Sequence, residues 1–198
     1  MINKKDFTDI RKQMEAFEAK REELINKSRI IQKSSKLAIY SVHRGDMKDA
    51  EKLLNEVEKD ISYIKHSIST MPKLDFLGSY TASIQEYCEA KCYYCYVTEK
   101  RIPSWKELSV DVEDYLSGLS DLTGELTRRA VVCVINNNNR EVHTIKVLIE
   151  EIYGLFLQLN LRNSELRKKS DSIKWNLKKI EDIIYDIKTR GKIDEENS

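Results

Sequence analysis

Residues 4–44 contain neither proline nor glycine, and this unbroken stretch constrains the fold more than any other feature. Within it Phe7, Ile10, Met14, Phe17, Leu24, Ile31, Ala38 and Val42 recur mostly at three-, four- and seven-residue steps. That spacing predicts one apolar seam along a single helix. At ~1.5 Å per residue the helix is roughly 60 Å long, so whatever packs on it has to be long and straight as well. The chain as a whole carries only 2 prolines and 6 glycines, too few to punctuate a strand-rich fold.

The same periodicity divides the remaining chain. Gly45-Asp46 breaks the first helix, with Asp46 a predicted N-cap for a second helix to about Thr70 carrying Leu53, Leu54, Val57, Ile61, Ile64 and Ile68. Met71-Pro72-Lys73 and Gly78 bound a loop. A third helix is predicted over 79–99, a short one over 105–108 after the Arg101–Ser104 turn, and a fifth from Asp111 to Ile135, ended by Asn136 to Asn139. Glu141 to Leu159 reads as an apolar helix. After the cap signal Asn163-Ser164, a last helix carries Leu166, Ile173, Leu177, Ile180, Ile184 and Ile187, with Gly191 as its stop and 192–198 as a frayed tail. The expectation is an all-α fold, one domain over 1–191 made of about seven antiparallel helices.

Formal net charge is +1, so a nucleic-acid surface would have to come from uneven distribution rather than bulk excess. The first residues lack an apolar signal core, and no stretch approaches the ~18–20 apolar residues of a membrane span. A soluble cytoplasmic protein without a membrane partner is expected. Cys88, Cys92, Cys95 and Cys133 lie in apolar helical context, which points to reduced, buried thiols. Cys92-Tyr-Tyr-Cys95 has no second such pair and no adjacent histidine, and His43, His66 and His143 are widely spaced, so no zinc site is written here.

Chemistry concentrates in four carboxylates. Glu86 and Glu89 are the only acids between Ser79 and Val97, and Asp121 and Glu125 the only ones between Tyr115 and Ile135. In a chain that is 34% charged, these are the quietest helices, and quiet helices are usually buried. Each pair has i,i+3 or i,i+4 spacing and therefore shares a helix face. Asp114, Gly118, Asp121, Glu125 and Arg128 form one stripe, with Gly118 and Gly124 beside it as points of close approach. One reading is the solvated faces of two amphipathic helices. The other is convergence of hard oxygen ligands on Mg²⁺ or Mn²⁺, which suits phosphodiester hydrolysis. Basic residues cluster at Lys27/Arg29/Lys33/Lys36/His43/Arg44, at Arg128/Arg129 and at Arg167/Lys168/Lys169/Lys174/Lys178/Lys179, as solvated faces or as a phosphate track. Tyr87, Tyr93, Tyr94 and Tyr96 offer base stacking or ordinary packing.

Several motifs go further. LRKKSDSIKWNLKKIEDIIYDIKTRG (Leu166 to Gly191) resembles the signature end of the translin family, and DVEDYLSG (Asp111 to Gly118) is similar to its translin branch. DLTGEL (Asp121 to Leu126), IQEYCEA (Ile84 to Ala90) and SRIIQKSSKLAIYSVHR (Ser28 to Arg44) resemble the family's catalytic branch, translin-associated factor X. The likeness runs in order from about Arg21 to Gly191. It implies a seven-helix bundle assembling into a hollow barrel, a homo-octamer in a chain mixing both branches, that binds single-stranded RNA or DNA. It also implies a Mg²⁺-dependent endoribonuclease. Glu86, Glu89 and Asp121 match the metal-binding acids, with Glu125 as a supporting catalytic acid. Lys36, Arg44, Arg128 and Arg129 are the basic positions expected to contact nucleic acid. A non-catalytic single-strand-binding oligomer is the alternative, and a helical adaptor without RNA affinity is the third reading.

Overall fold

The computed structural model describes residues 3–71, 78–161 and 165–196. Seven helices and no strand occur among them: α1 (Lys4–His43), α2 (Met47–Thr70), α3 (Gly78–Glu99), α4 (Trp105–Leu108), α5 (Val112–Ile135), α6 (Asn139–Leu157) and α7 (Glu165–Glu196). Their starts follow from capping chemistry. Asp46, Asp111 and Asn138 accept backbone N–H bonds from Asp49, Glu113 and Glu141, and Ser104 and Glu107 close a capping box on α4, each cap worth about 1 kcal/mol. Gly45 turns the chain between α1 and α2 at φ +81°, a conformation glycine adopts without steric cost.

α1 and α2 pair antiparallel, tied by Ser41 to Asp49 (2.6 Å), Lys27 to Asp60 (2.6 Å) and Lys20 to the Tyr63 hydroxyl (2.8 Å). α1 packs on α3, α3 on α5, and α5 on both α6 and α7. The two charge-poor helices are thus the middle of the bundle, covered on one side by α1 and on the other by α6 and α7. One continuous core results, with Leu24, Ile31, Leu54, Ile64, Ile84, Leu122, Leu126, Ile145 and Ile149 fully enclosed. Each such side chain contributes about 1.5–3 kcal/mol through burial.

Two expectations are corrected. The apolar seam of α1 is not covered throughout: Phe7 and Met14 are 58% and 64% exposed, and Ile10 is exposed too. α2, at 24 residues, reaches only ~36 Å; Met71 at its end lines a pocket with Ile10, Met14 and Phe17, and the first turns of α1 overrun it. Gly191 does not stop α7, which continues to Glu196. A glycine inside a helix costs only about 1 kcal/mol, and without a left-handed turn it does not end one. The Met71-Pro72-Lys73 loop falls largely, and the Asn163-Ser164 cap wholly, outside the described residues.

Candidate active site at the crossing of α3 and α5

A missing side chain brings the four acids together. A Cβ on Gly118 would sit 2.5 Å from Cys88 Cβ, 2.7 Å from the Gln85 carbonyl and 2.9 Å from the Glu89 amide. The α5 backbone therefore presses directly onto α3 between Gln85 and Glu89, and Gln85 donates to Asp114 across the crossing (3.0 Å). Gly124 is not such a point, since its nearest atom would be Asn176 Nδ2 at 3.8 Å. One and two turns beyond Gly118, Asp121 and Glu125 then face Glu86 and Glu89.

Three of the acids have cationic or proton-donating partners. Lys36 of α1 stands 3.6 Å from Glu86, and Lys169 of α7 donates to Asp121. Glu125 Oε2 is hydrogen-bonded by His43 Nε2 and lies 3.6 Å from Arg128. The His43 bond, assisted by Arg128, holds the Glu125 carboxyl below its ordinary range despite partial burial. Burial moves Glu86 upward, with Lys36 opposing it. Glu89 has no ion-pair or hydrogen-bond partner among the described residues. Burial, reinforced by Asp121, Glu86 and Glu125, pushes its carboxyl up to about 8. Two carboxyls a helix apart thus sit on opposite sides of neutrality.

The basic residues divide. Lys36 (62% exposed) and Arg128 (57%) reach solvent beside the acids. Arg44 is exposed at the end of α1, over the Tyr40 ring at 5.6 Å. Arg129 bonds Glu141 of α6 at 2.7 Å and lies near the Tyr93 hydroxyl, so it ties α5 to α6 behind the site. Tyr87, Tyr93 and Tyr96 are buried, which makes them packing residues rather than stacking platforms. All four cysteines are free and buried.

His43, Tyr93 and Lys169 join the site in roles the sequence did not assign them: His43 and Lys169 stood only in basic clusters, and Tyr93 among tyrosines offered for stacking or packing. His43, with a side chain only 8% exposed, bonds Glu125 through Nε2 and the Tyr93 hydroxyl through Nδ1 (3.0 Å). These residues lie on helices far apart in the chain, so no local spacing could have linked them.

The donor chemistry fits a hard divalent cation, because all four side chains offer carboxylate oxygens and Glu89 has no ion-pair partner among the described residues, only the more distant charge of Lys169. With the side chains as placed, no three acids, histidines or cysteines among the described residues form a ready cage; Lys36 and Lys169 stand in that role instead.

The translin family model matches residues 19–191. The chain belongs to the translin family. Within the family it is similar to an uncharacterized protein of Methanocaldococcus jannaschii, 33% identical over 155 residues, which cover 76% of this chain and 68% of that protein. It is 43% identical to translin of Gallus gallus over 82 residues, and that match spans only 36% of translin and 41% of this chain. Among solved structures, apo-NeC3PO superposes with a TM-score of 0.86 at 30% identity, covering 93% of this chain and 97% of that one. In this translin-family chain no helix among the described residues is long and apolar enough to cross a membrane.

Proposed function

We propose that this chain is a Mg²⁺-dependent endoribonuclease that cleaves single-stranded RNA inside a homo-octameric barrel. The observation that carries the reading is Glu89, a partly buried carboxyl without a hydrogen-bond or ion-pair partner among the described residues, facing three other acids at a glycine-made helix crossing. Such a group is costly unless a cation or a proton completes it. Glu86, Glu89 and Asp121 would hold Mg²⁺ or Mn²⁺, which when bound supplies charge neutralisation at a phosphodiester and acidification of water.

The protein's own groups supply the rest. Glu125, kept ionised by His43 and Arg128, accepts a proton from the attacking water or orients it. Arg128 and Lys36, exposed on either side of the acids, contact the phosphate and stabilise charge that develops there. Arg44 extends the basic surface along α1. The motifs shared with the family's catalytic branch, QEYCEA and DLTGEL, contain all four acids.

A second reading rests on a specific observation: Lys36, Lys169, His43 and Arg128 already offset three of the four acids. A non-catalytic oligomer that binds single-stranded RNA or DNA would need nothing more. Incubation of purified protein with single-stranded and duplex RNA, in Mg²⁺, Mn²⁺ or EDTA, separates the two. Metal-dependent internal cuts in the single strand support the nuclease. Salt-sensitive binding without cleavage in either metal supports the binder.

A further inference from the structure

Resting on the nuclease reading, we infer that His43 is a positioning residue of the site, held by Tyr93 so as to fix Glu125 with one oxygen engaged and the other free. Every polar side-chain atom of the His43–Glu125 pair but one has a partner among the described residues. His43 Nε2 and Arg128 both address Glu125 Oε2. No group among the described residues bonds Glu125 Oε1, which leaves that oxygen's lone pairs available to a water or a substrate hydroxyl.

Proton accounting specifies the histidine. An ionised carboxylate only accepts, so the hydrogen in the His43–Glu125 bond sits on Nε2. In the tautomer that carries its one hydrogen on Nε2, Nδ1 is bare and accepts from the Tyr93 hydroxyl at 3.0 Å. Tyr93 has its hydrogen directed there because its oxygen lies near the Arg129 guanidinium, a group that only donates. Arg129 is itself anchored on Glu141 at 2.7 Å. The ring of His43 also rests on that of Tyr93, with centroids 4.8 Å apart. A chain from α6 through Arg129, Tyr93 and His43 thus sets the rotamer of a carboxylate on α5, with every member on a different helix from its target or braced by one.

A purely structural tie between α1 and α5 would need the same contacts but would not be coupled to the chemistry. Two measurements on the 198-residue chain separate these. First, ring ¹⁵N shifts of the three histidines are recorded without RNA, with His43 assigned from the spectrum of His43→Gln. Its Nε2–H tautomer is expected, with a shift on Tyr93→Phe, a variant that removes only a hydroxyl and keeps the packing. A protonated Nδ1 in the neutral ring, or insensitivity to both Tyr93→Phe and Glu125→Gln, overturns the inference.

Second, RNA cleavage is measured for His43→Gln, Glu125→Gln and the double variant. The inference expects His43→Gln to lower kcat by about 10²-fold while KM changes less than about twofold. It also expects the double variant to be no slower than Glu125→Gln, because residues acting as a unit are not additive. Tyr93→Phe should give a smaller loss, on kcat alone. Additive losses, or a loss confined to KM, overturn the positioning role. A chain with the expected tautomer that cuts no RNA overturns the nuclease reading itself and reduces His43 to a tie between helices.

Discussion

Around a cavity of about 420 Å³ between α2, α3 and α4, Glu58, Lys65, Lys91, Glu99, Arg101 and Glu107 line the wall, so this region, like the α3–α5 crossing, is rich in charge. There the acids are matched. Glu58 accepts from the Tyr87 hydroxyl (3.0 Å) and pairs with Lys91 (2.8 Å), while Glu99 and Glu107 each lie 2.7 Å from Arg101. At the crossing, four acids face one another and Glu89 has no hydrogen-bond or ion-pair partner among the described residues. Richness in charge thus marks a surface, whereas imbalance in a sheltered place marks a site. Exposed pairs like those around the cavity are worth little individually.

The comparison breaks first on catalysis. Asp121→Asn is expected to lower RNA cleavage by about 10³-fold, roughly 4 kcal/mol of transition-state stabilisation. Glu58→Gln, its counterpart in the balanced region, should leave cleavage within twofold and lower stability by no more than about 1 kcal/mol. Parallel turnover assays and urea melts decide it. Equal losses of cleavage in both variants would erase the distinction between the regions.

Packing gives the next effect. Gly118→Ala forces a Cβ against Cys88 and two α3 backbone atoms, and should cost about 2–4 kcal/mol of stability along with most activity. Gly124→Ala, with only an ordinary contact at 3.8 Å, should be neutral or stabilising by up to about 1 kcal/mol. A melt in which the two behave alike would show that the close approach is not what joins the acids.

How much of this was legible in the sequence differs between the elements. Helix order followed from breakers and caps such as Gly45-Asp46, Ser104 and Asp111, which act locally. The four acids stood out because their helices carry so little other charge, and that quietness correctly reported a central position. The overrun of α1 was not legible, because periodicity records that Phe7, Ile10 and Met14 share a stripe but not whether anything covers it. The site roles of His43, Tyr93 and Lys169 were hidden for a related reason: they lie in contacts between helices, which membership of a basic cluster or a tyrosine run does not record. His43 sits 82 residues from Glu125. Arg129 looked equivalent to its neighbour Arg128, yet ~100° of helical rotation turns one toward α6 and leaves the other beside the acids.

Titration sharpens the comparison by a smaller amount. Glu89 is raised to about 8 in the folded chain against about 4.3 when unfolded. The native state therefore binds the extra proton between those values, and stability falls as pH rises through that window. In EDTA, Glu89→Gln should remove much of the decline, stabilising the protein by on the order of 1–2 kcal/mol at pH 8 and hardly at all at pH 4. Thermal melts across pH test this, and an unchanged slope in the variant would place the imbalance elsewhere. The smallest effect belongs to the rim. Lys36→Ala should weaken RNA binding uniformly across sequences and reduce the salt slope by about 1, whereas Arg129→Ala should act through stability instead.

The most direct test compares wild type with Glu89→Gln on one labelled single-stranded RNA in Mg²⁺, with binding and cleavage read in the same samples. The account predicts metal-dependent cleavage by wild type, and in the variant a loss of at least about 10³-fold with RNA affinity kept within twofold. Normal cleavage by Glu89→Gln, or none by wild type in Mg²⁺ or Mn²⁺, would contradict it.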